Sequence, residues 1–162
     1  MEDMLEEIGR YATFLKNAGG GVTISGGDPL FQPDFTRALL RGCKEMGLHT
    51  CIDTSGITYN SENADYMAKL DKLMEYTDLV MLDLKHIDDE KHRSLTGHSN
   101  KNILEFVKYL DGKKVPVWVR HVVVPTVTDE PEYWDKLCRF MATVSNIKAL
   151  DVLPYHTMGV KK

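Results

Sequence analysis

The stretch Leu79–Leu84, which reads LVMLDL, is the most continuous apolar run in the chain and predicts a β-strand that is buried on both faces. Shorter apolar runs lie before and after it, and amphipathic helical patterns separate them. The five predicted strands are residues 22–25, 48–53, 79–84, 115–124 and 149–153. About five long helices alternate strictly with these strands, which predicts an α/β fold of parallel strands joined by right-handed crossovers.

The composition is that of an ordinary globular chain. The 162 residues are 43% hydrophobic and 27% charged, with a net charge of -4 at pH 7. A chain of this length sustains one hydrophobic core, so we expect residues 1–162 to form a single domain. A mean hydropathy of -0.30, with no apolar run near 20 residues, argues against a membrane protein and a secretion signal. The scattered Lys and Arg argue against nucleic acid as a partner.

The three cysteines follow neither a disulfide pattern nor a metal-binding pattern. Cys43, Cys51 and Cys138 are an odd number at irregular spacing, each in an apolar neighbourhood. We therefore expect small buried side chains in a reducing compartment, the cytoplasm.

The carboxyl end of every predicted strand carries polar or loop-forming residues. They are Gly26–Asp28, Asp53–Gly56, Asp83 with Lys85, Arg120 with His121, and Pro154–His156. Because the carboxyl ends of parallel strands share one edge of a sheet, in open sheets and in barrels alike, this edge is the predicted functional site. The pattern leaves the closure of the sheet open and favours an arc of a barrel.

These residues have structural interpretations beside functional ones. The segment Ser25–Pro29 suits either a tight turn or the close approach of a ligand to the backbone. Asp83 and Lys85 share one face of a strand, so they either neutralise each other or meet a charged ligand. Asp53 ends an apolar strand, where a carboxylate needs a cation or a ligand ammonium.

Three histidines recur every six residues in and beside the polar segment from Asp88 to Asn100. His86, His92 and His98 match neither the helical nor the strand spacing of metal ligands. We expect them at the surface or in loops.

Taken in order, five segments resemble the radical S-adenosylmethionine (SAM) family, and within it the activating enzymes of glycyl-radical enzymes. They are residues 20–30 (GGVTISGGDPL), 49–56 (HTCIDTSG), 77–85 (TDLVMLDLK), 117–125 (VWVRHVVVP) and 153–156 (LPYH). A sixth segment, Asp89–Asn100, is similar to the D-x-x-H-x-x-L-x-G-x-S-N pattern of that subgroup. The resemblance implies a partial (β/α) barrel with about five parallel strands in an open arc.

The resemblance also implies ligands for the residues at the sheet edge. Gly26, Gly27 and Asp28 would hold the methionyl ammonium of SAM, with Asp53 as a second partner. The family usually has Glu where Asp28 stands. Lys85 would pair with the methionyl carboxylate.

Further roles are implied beside this ligand. Arg120, facing the same cavity, is the candidate catalytic residue, and His156 would lie near the ribose and adenine. The positions that match a monovalent-cation site are Asp53, Thr54, Met81 and Asp83. The residues expected to bind the substrate protein are Asp89, His92 and Gly97.

The family's C-x-x-x-C-x-x-C loop, which binds a [4Fe-4S] cluster, does not occur in the sequence. We therefore expect a partial radical SAM core that lacks the first strand, the cluster loop and the C-terminal portion of the family. The implied function is reductive cleavage of SAM and hydrogen abstraction from a glycine of a partner enzyme, with this chain inactive alone. The implied partners are a glycyl-radical enzyme such as pyruvate formate-lyase and a flavodoxin- or ferredoxin-type electron donor.

Three alternatives remain open at this point. The chain could activate a different anaerobic enzyme, or it could be a non-catalytic module that keeps affinity for SAM or for the partner. An unrelated α/β phosphate-binding enzyme is the third, and it would leave Asp83 and Lys85 unexplained.

Overall fold

The computed structural model describes residues 1–155 and contains one sheet of five parallel strands. The strands are β1 (Gly21–Ile24), β2 (His49–Thr54), β3 (Leu79–Asp83), β4 (Val117–Val123) and β5 (Ile147–Pro154). They pair in sequential order, β1 to β5, and all four pairings are parallel. The predicted α/β fold, with five parallel strands in an open arc, is confirmed.

Six α-helices lie between and before the strands in the described residues. They are α1 (Glu2–Asn17), α2 (Pro33–Glu45), α3 (Ala64–Met74), α4 (Asp89–Thr96), α5 (Lys101–Gly112) and α6 (Pro131–Met141). Among residues 1–155, none of these helices has the length and apolar character needed to cross a membrane.

The hydrophobic core lies between one face of the sheet and the helices. Val80 and Leu82 of β3 are fully buried there, in one cluster with Leu70 of α3 and Phe106 of α5. The alternate β3 residues, Leu79, Met81 and Asp83, are only half-buried. The prediction that β3 is buried on both faces is therefore wrong for the described part of the chain, and its second face is available to line a site.

Helix α4 replaces part of the segment that was expected to be merely polar. Its signals are local: the Asp88 carboxylate accepts hydrogen bonds from the backbone N–H groups of Glu90 and Lys91, and Gly97 ends the helix at φ 77°. An acidic cap and a left-handed glycine stabilise a helix that has almost no apolar face.

Two predictions about burial also need correction. His86 and His92 are each 2% exposed, because backbone groups satisfy one nitrogen of each ring, whereas His98 is at the surface as expected. Cys43 and Cys51 are buried as predicted, but Cys138 is exposed on α6. All three thiols are free within the described residues.

Candidate functional site

The carboxyl ends of β1 to β4 surround an open cavity of about 450 Å³. Gly26, Gly27, Asp53, Asp83 and Arg120 line it together. The parallel register places Asp83 directly beside Arg120 on the neighbouring strand. The prediction that these residues meet at one edge of the sheet is confirmed, whereas His156 lies outside the described residues.

Gly26 and Gly27 form an open stretch of backbone at the cavity wall. Their φ angles are 90° and 56°, a left-handed conformation that side chains rarely adopt. No heavy atom lies within 4 Å of the place where a Cβ would stand on either residue. A ligand can therefore approach the main chain here more closely than at any residue with a side chain.

Asp28 is held by the chain itself. Its carboxylate accepts hydrogen bonds from the Thr54 hydroxyl at 2.7 Å, the Ser55 hydroxyl at 2.8 Å and the Ser55 backbone N–H at 2.9 Å. It also accepts one from the backbone N–H of Leu30. These contacts tie the glycine loop to the end of β2, so Asp28 shapes the cavity, and the backbone of Gly26 and Gly27 remains open towards a ligand.

Arg120 bridges the two carboxylates at the centre of the site. Its Nη2 lies 2.6 Å from Asp53 Oδ1 and 2.8 Å from Asp83 Oδ1. Burial disfavours the guanidinium charge, but Asp83 and Asp53 outweigh it and raise the pKa of Arg120 above its ordinary value. Both carboxylates therefore have a permanent cationic partner.

Lys85 lies beside this cavity, where it lines a smaller one of about 160 Å³ that shares Ser55, Ile57 and Asp83 with it. Its Nζ lies 2.8 Å from Asp83 Oδ2, and the side chain is 46% exposed. Two carboxylates and two cations alternate through Asp53, Arg120, Asp83 and Lys85. The cluster is neutral overall, yet it presents a carboxylate and an ammonium to a ligand that carries both charges.

The four residues matched to a cation site are only partly brought together. Asp53, Met81 and Asp83 lie on the open face of the sheet, whereas Thr54 is buried and its hydroxyl donates to Asp28. In residues 1–155 no group of three or more His, Cys, Asp or Glu side chains is placed to hold a metal ion.

The segment Asp89–Asn100 bonds mainly to itself. The Ser99 hydroxyl, together with Arg93 and the Asn100 backbone N–H, lowers the pKa of Asp89 to about 2. His92 Nδ1 lies 2.7 Å from the His98 carbonyl oxygen, and its ring borders a cavity of about 160 Å³ beside Lys85. The expected contact of Asp89, His92 and Gly97 with a substrate protein stays a prediction.

The sequence did not predict the hydrogen bonds that hold the residues of the site in place. Thr54 and Ser55 fix Asp28, His121 Nδ1 donates to the Leu84 carbonyl, and Asn100 donates to two carbonyls after Lys85. The available signal was a polar residue within or beside an apolar pattern, which indicates a buried hydrogen bond without naming its partner.

Comparison with known proteins gives relatives over nearly the whole chain. The pyruvate formate-lyase-activating enzyme of Listeria monocytogenes is 48% identical over 161 residues, covering 99% of this chain and 64% of the relative. The pyruvate formate-lyase 1-activating enzyme of Escherichia coli is 44% identical over 162 residues, again covering 64% of the relative. The chain thus spans 64% of the length of these curated relatives.

Solved structures show the same fold. A domain of the pyruvate-formate lyase-activating enzyme from Bacteroides vulgatus matches with a TM-score of 0.74 and 27% identity, covering 85% of this chain and 81% of that chain. Streptococcus suis SuiB bound to S-adenosylmethionine matches with a TM-score of 0.68 and 22% identity, over 96% of this chain and 34% of that chain. The model of the Radical SAM superfamily matches residues 1–138. The chain belongs to the radical SAM superfamily.

Proposed function

We propose that this chain acts in the activation of a glycyl-radical enzyme of the pyruvate formate-lyase type. It binds SAM at the carboxyl edge of the sheet and presents it to a glycine of the partner enzyme, from which a hydrogen atom is removed. The observation that carries the proposal is the cavity in which open glycine backbone meets Asp53, Arg120 and Asp83. Lys85 is paired with Asp83 beside it and lines the adjoining smaller cavity. The activating enzymes that are 44% to 48% identical support the reaction and the partner.

The residues at this edge fit the methionyl part of SAM. That group carries one ammonium and one carboxylate on the same carbon atom, and the site offers groups of opposite sign. Asp53 and the backbone of Gly26 and Gly27 bind the ammonium, and Lys85 binds the carboxylate. When SAM receives one electron, it supplies the group that abstracts hydrogen.

Arg120 holds the side chains of Asp53 and Asp83 in place, because both carboxylates contact its Nη2. The partner's glycine approaches over Lys85 and the segment Asp89–Asn100, which both border the adjoining cavity of about 160 Å³. The remaining partner of the proposal is an electron donor of flavodoxin or ferredoxin type. We place the reaction in the cytoplasm, where three free thiols remain reduced.

The family also uses a [4Fe-4S] cluster, and the residues of this chain do not fit it. Cys43 is buried in α2, Cys51 is buried in β2, and Cys138 is exposed on α6. Three thiolates on separate elements at spacings of this kind do not form the compact loop that a cluster needs. The proposal for these 162 residues therefore concerns binding and orientation of SAM and partner.

Calorimetric titration with SAM tests this proposal. We expect one SAM per chain, and we expect Lys85→Ala to weaken binding by about 2 kcal/mol, roughly thirtyfold, because a carboxylate loses its charged partner. Lys44→Ala is the matched control. It removes an ammonium with a similar ion pair, 2.7 Å from Asp78, at the opposite end of β3, and it should leave the affinity unchanged.

Equal affinities of the wild type, Lys85→Ala and Lys44→Ala would contradict the proposed site. One observation favours a second candidate function, a non-catalytic binding module, because the cysteines do not fit a cluster. Anaerobic incubation with iron, sulfide, a reductant and SAM distinguishes the two. Binding of SAM without formation of 5′-deoxyadenosine would assign this chain to the binding module.

A further inference from the structure

The loop that carries Lys85 away from β3 is held by buried side chains. The Leu84 carbonyl accepts from His121 Nδ1 at 2.8 Å, on one side of Lys85. On the other side, the carbonyls of His86 and Ile87 both accept from Asn100 Nδ2, at 3.0 and 2.7 Å. The chain is thus fixed immediately before and immediately after Lys85, which lines the smaller cavity of about 160 Å³.

Asn100 makes the larger share of these contacts. It is 1% exposed, and its side-chain amide donates hydrogen bonds to two consecutive carbonyls. Its own backbone N–H donates to Asp89 Oδ1 at 3.0 Å, which anchors it to the start of α4. A buried carbonyl that loses its donor is unfavourable, so this loop has one preferred path while Asn100 is present.

We propose that Asn100 is a positioning residue for Lys85. It orders residues 86 and 87 before any ligand arrives, so that the Lys85 ammonium stays next to Asp83, whose side chain lines both cavities. The inference rests on the proposed function, in which Lys85 binds the carboxylate of SAM. It assigns the last residue of the segment Asp89–Asn100 to the SAM side of the site, and not to contact with the partner enzyme.

The fixed backbone explains how Lys85, which lies in a loop, can bind a ligand tightly. Lysine side chains have many rotamers, and a mobile backbone would add further freedom that binding must remove. Because Asn100 fixes the backbone, binding removes only the freedom of the side chain. Loss of Asn100 should therefore weaken SAM binding through Lys85 and through nothing else.

The chain offers a matched control in Asn146. It is 5% exposed, and its Nδ2 also donates to two carbonyls, those of Val115 at 3.1 Å and Val107 at 3.5 Å. These contacts lie at the amino end of β4, away from the cavity. Asn146→Ala removes the same chemistry from the fold without touching the Lys85 loop.

A double-mutant cycle in SAM affinity separates positioning from general damage. We expect Asn100→Ala to weaken binding about tenfold and Asn146→Ala to leave it unchanged. In the Lys85→Ala background, Asn100→Ala should cause no further loss, because the group through which it acts is gone. Additive losses, or an unchanged affinity of Asn100→Ala, would overturn the inference. If Asn100→Ala does not fold, Asn100→Ser retains one donor and should give an intermediate loss in the same cycle.

A second measurement needs no ligand. Acetylation of Lys85 by an N-hydroxysuccinimide ester, followed by peptide mass spectrometry, reports how the ammonium is held. We expect the rate at Lys85 to rise at least threefold in Asn100→Ala and to stay at the wild-type rate in Asn146→Ala. Equal rates in both variants would overturn the inference. A wild type that binds no SAM would instead refute the proposed function and leave this measurement to decide the role of Asn100.

Discussion

Two aspartates bracket strand β3, and they are bound in different ways. Asp78 precedes the strand and Asp83 ends it, and their side chains are similarly buried, 30% and 26% exposed. Asp78 accepts from the Thr50 backbone N–H at 2.9 Å, from the Thr50 hydroxyl and from Lys44. The hydrogen bonds found for the Asp83 carboxylate come from the side chains of Arg120 and Lys85.

The comparison shows how a carboxylate that stabilises the fold differs from one that can bind a ligand. A backbone N–H cannot leave without disturbing the sheet, whereas lysine and arginine side chains can turn towards a ligand. Exposure and ion-pair distance are alike at the two ends of β3, so neither identifies the site. The chemical nature of the partners does, and it predicts that changes at Asp78 act on folding and changes near Asp83 act on binding.

The largest effect is expected for Asp78→Ala. Hydrogen bonds to a charged group contribute about 1.5 to 3 kcal/mol, and Asp78 accepts several, so we expect a loss of about 2 to 3 kcal/mol in the free energy of unfolding. Urea denaturation measures it, and SAM affinity should not change. Asp135→Ala, at an exposed pair with Arg139, is the control and should lose less than about 0.5 kcal/mol.

The stability loss of Asp78→Ala should also depend on pH. Burial opposes ionisation of Asp78, but the hydrogen bonds from Lys44 and Thr50 keep its pKa below the ordinary value. Its contribution is complete above the pKa of an unfolded Asp, about 4, and declines as the pH falls through the lower folded value. The gap between wild type and Asp78→Ala should therefore narrow below about pH 4. A gap that widens in acid would contradict this account.

Arg120→Ala should have the next largest effect. It leaves Asp53 and Asp83 facing each other without the cation that both contact. We expect a loss of about 1 to 2 kcal/mol in the free energy of unfolding, smaller at high salt because added ions screen the repulsion. Arg120→Lys retains the charge and should recover part of the loss. A loss that does not respond to salt would mean that packing, and not charge, is the contribution of Arg120.

The sequence was sufficient for the features that depend on periodicity. Apolar runs alternating with helical stripes indicate a sheet of parallel strands, and parallel strands bring their carboxyl ends to one edge. For this reason Asp83 and Arg120, 37 residues apart, could be predicted to share a site. This prediction required only the strand pattern, and not the ion pair between the two side chains.

The hydrogen-bond partners of the polar side chains could not be predicted from the sequence. Asp28 was predicted to hold a ligand ammonium, which stays a prediction. Nothing in the sequence indicated that its carboxylate also accepts hydrogen bonds from Thr54 and Ser55, 26 and 27 positions later. His92 was expected near the surface, and a carbonyl six residues later allows it to be buried. A carboxylate or an imidazole looks the same in a sequence whether its partner is a ligand or the protein, because the partner is set by tertiary contact.

Asp89 follows the strand end that carries Asp83, but its hydrogen bonds resemble those of Asp78. Its carboxylate accepts from a hydroxyl and from a backbone N–H. The Ser99 hydroxyl first, then Arg93 and the Asn100 backbone N–H, lower its pKa to about 2. Its stabilising contribution is present above the pKa of an unfolded Asp and is lost as the pH falls towards 2. Denaturation of Asp89→Asn at a series of pH values should show a constant deficit above about pH 5 that disappears in strong acid. A deficit in the free energy of unfolding that is as large at pH 2 as at pH 6 would show that the charge of Asp89 is not what Ser99 and Asn100 require.

The smallest expected difference separates the two lysines at the ends of β3. Lys44 and Lys85 are 37% and 46% exposed, and each lies within 2.8 Å of its aspartate. Lys44→Ala leaves Asp78 with no cationic partner among residues 1–155, and we expect it to lose about 0.5 to 1 kcal/mol in the free energy of unfolding. Lys85→Ala leaves Asp83 with Arg120, so its loss should be below about 0.5 kcal/mol.

Urea denaturation and SAM titration of both variants test whether the two lysines rank in opposite order for stability and for SAM affinity. Lys85→Ala should be the more stable variant and the weaker binder, because Arg120 already compensates Asp83 and leaves the Lys85 ammonium free to meet a ligand carboxylate. Lys44→Ala should be the less stable variant with wild-type affinity. If Lys85→Ala were the more destabilised of the two, the ion pair of Asp83 would be part of the fold, and the two ends of β3 would not differ in kind.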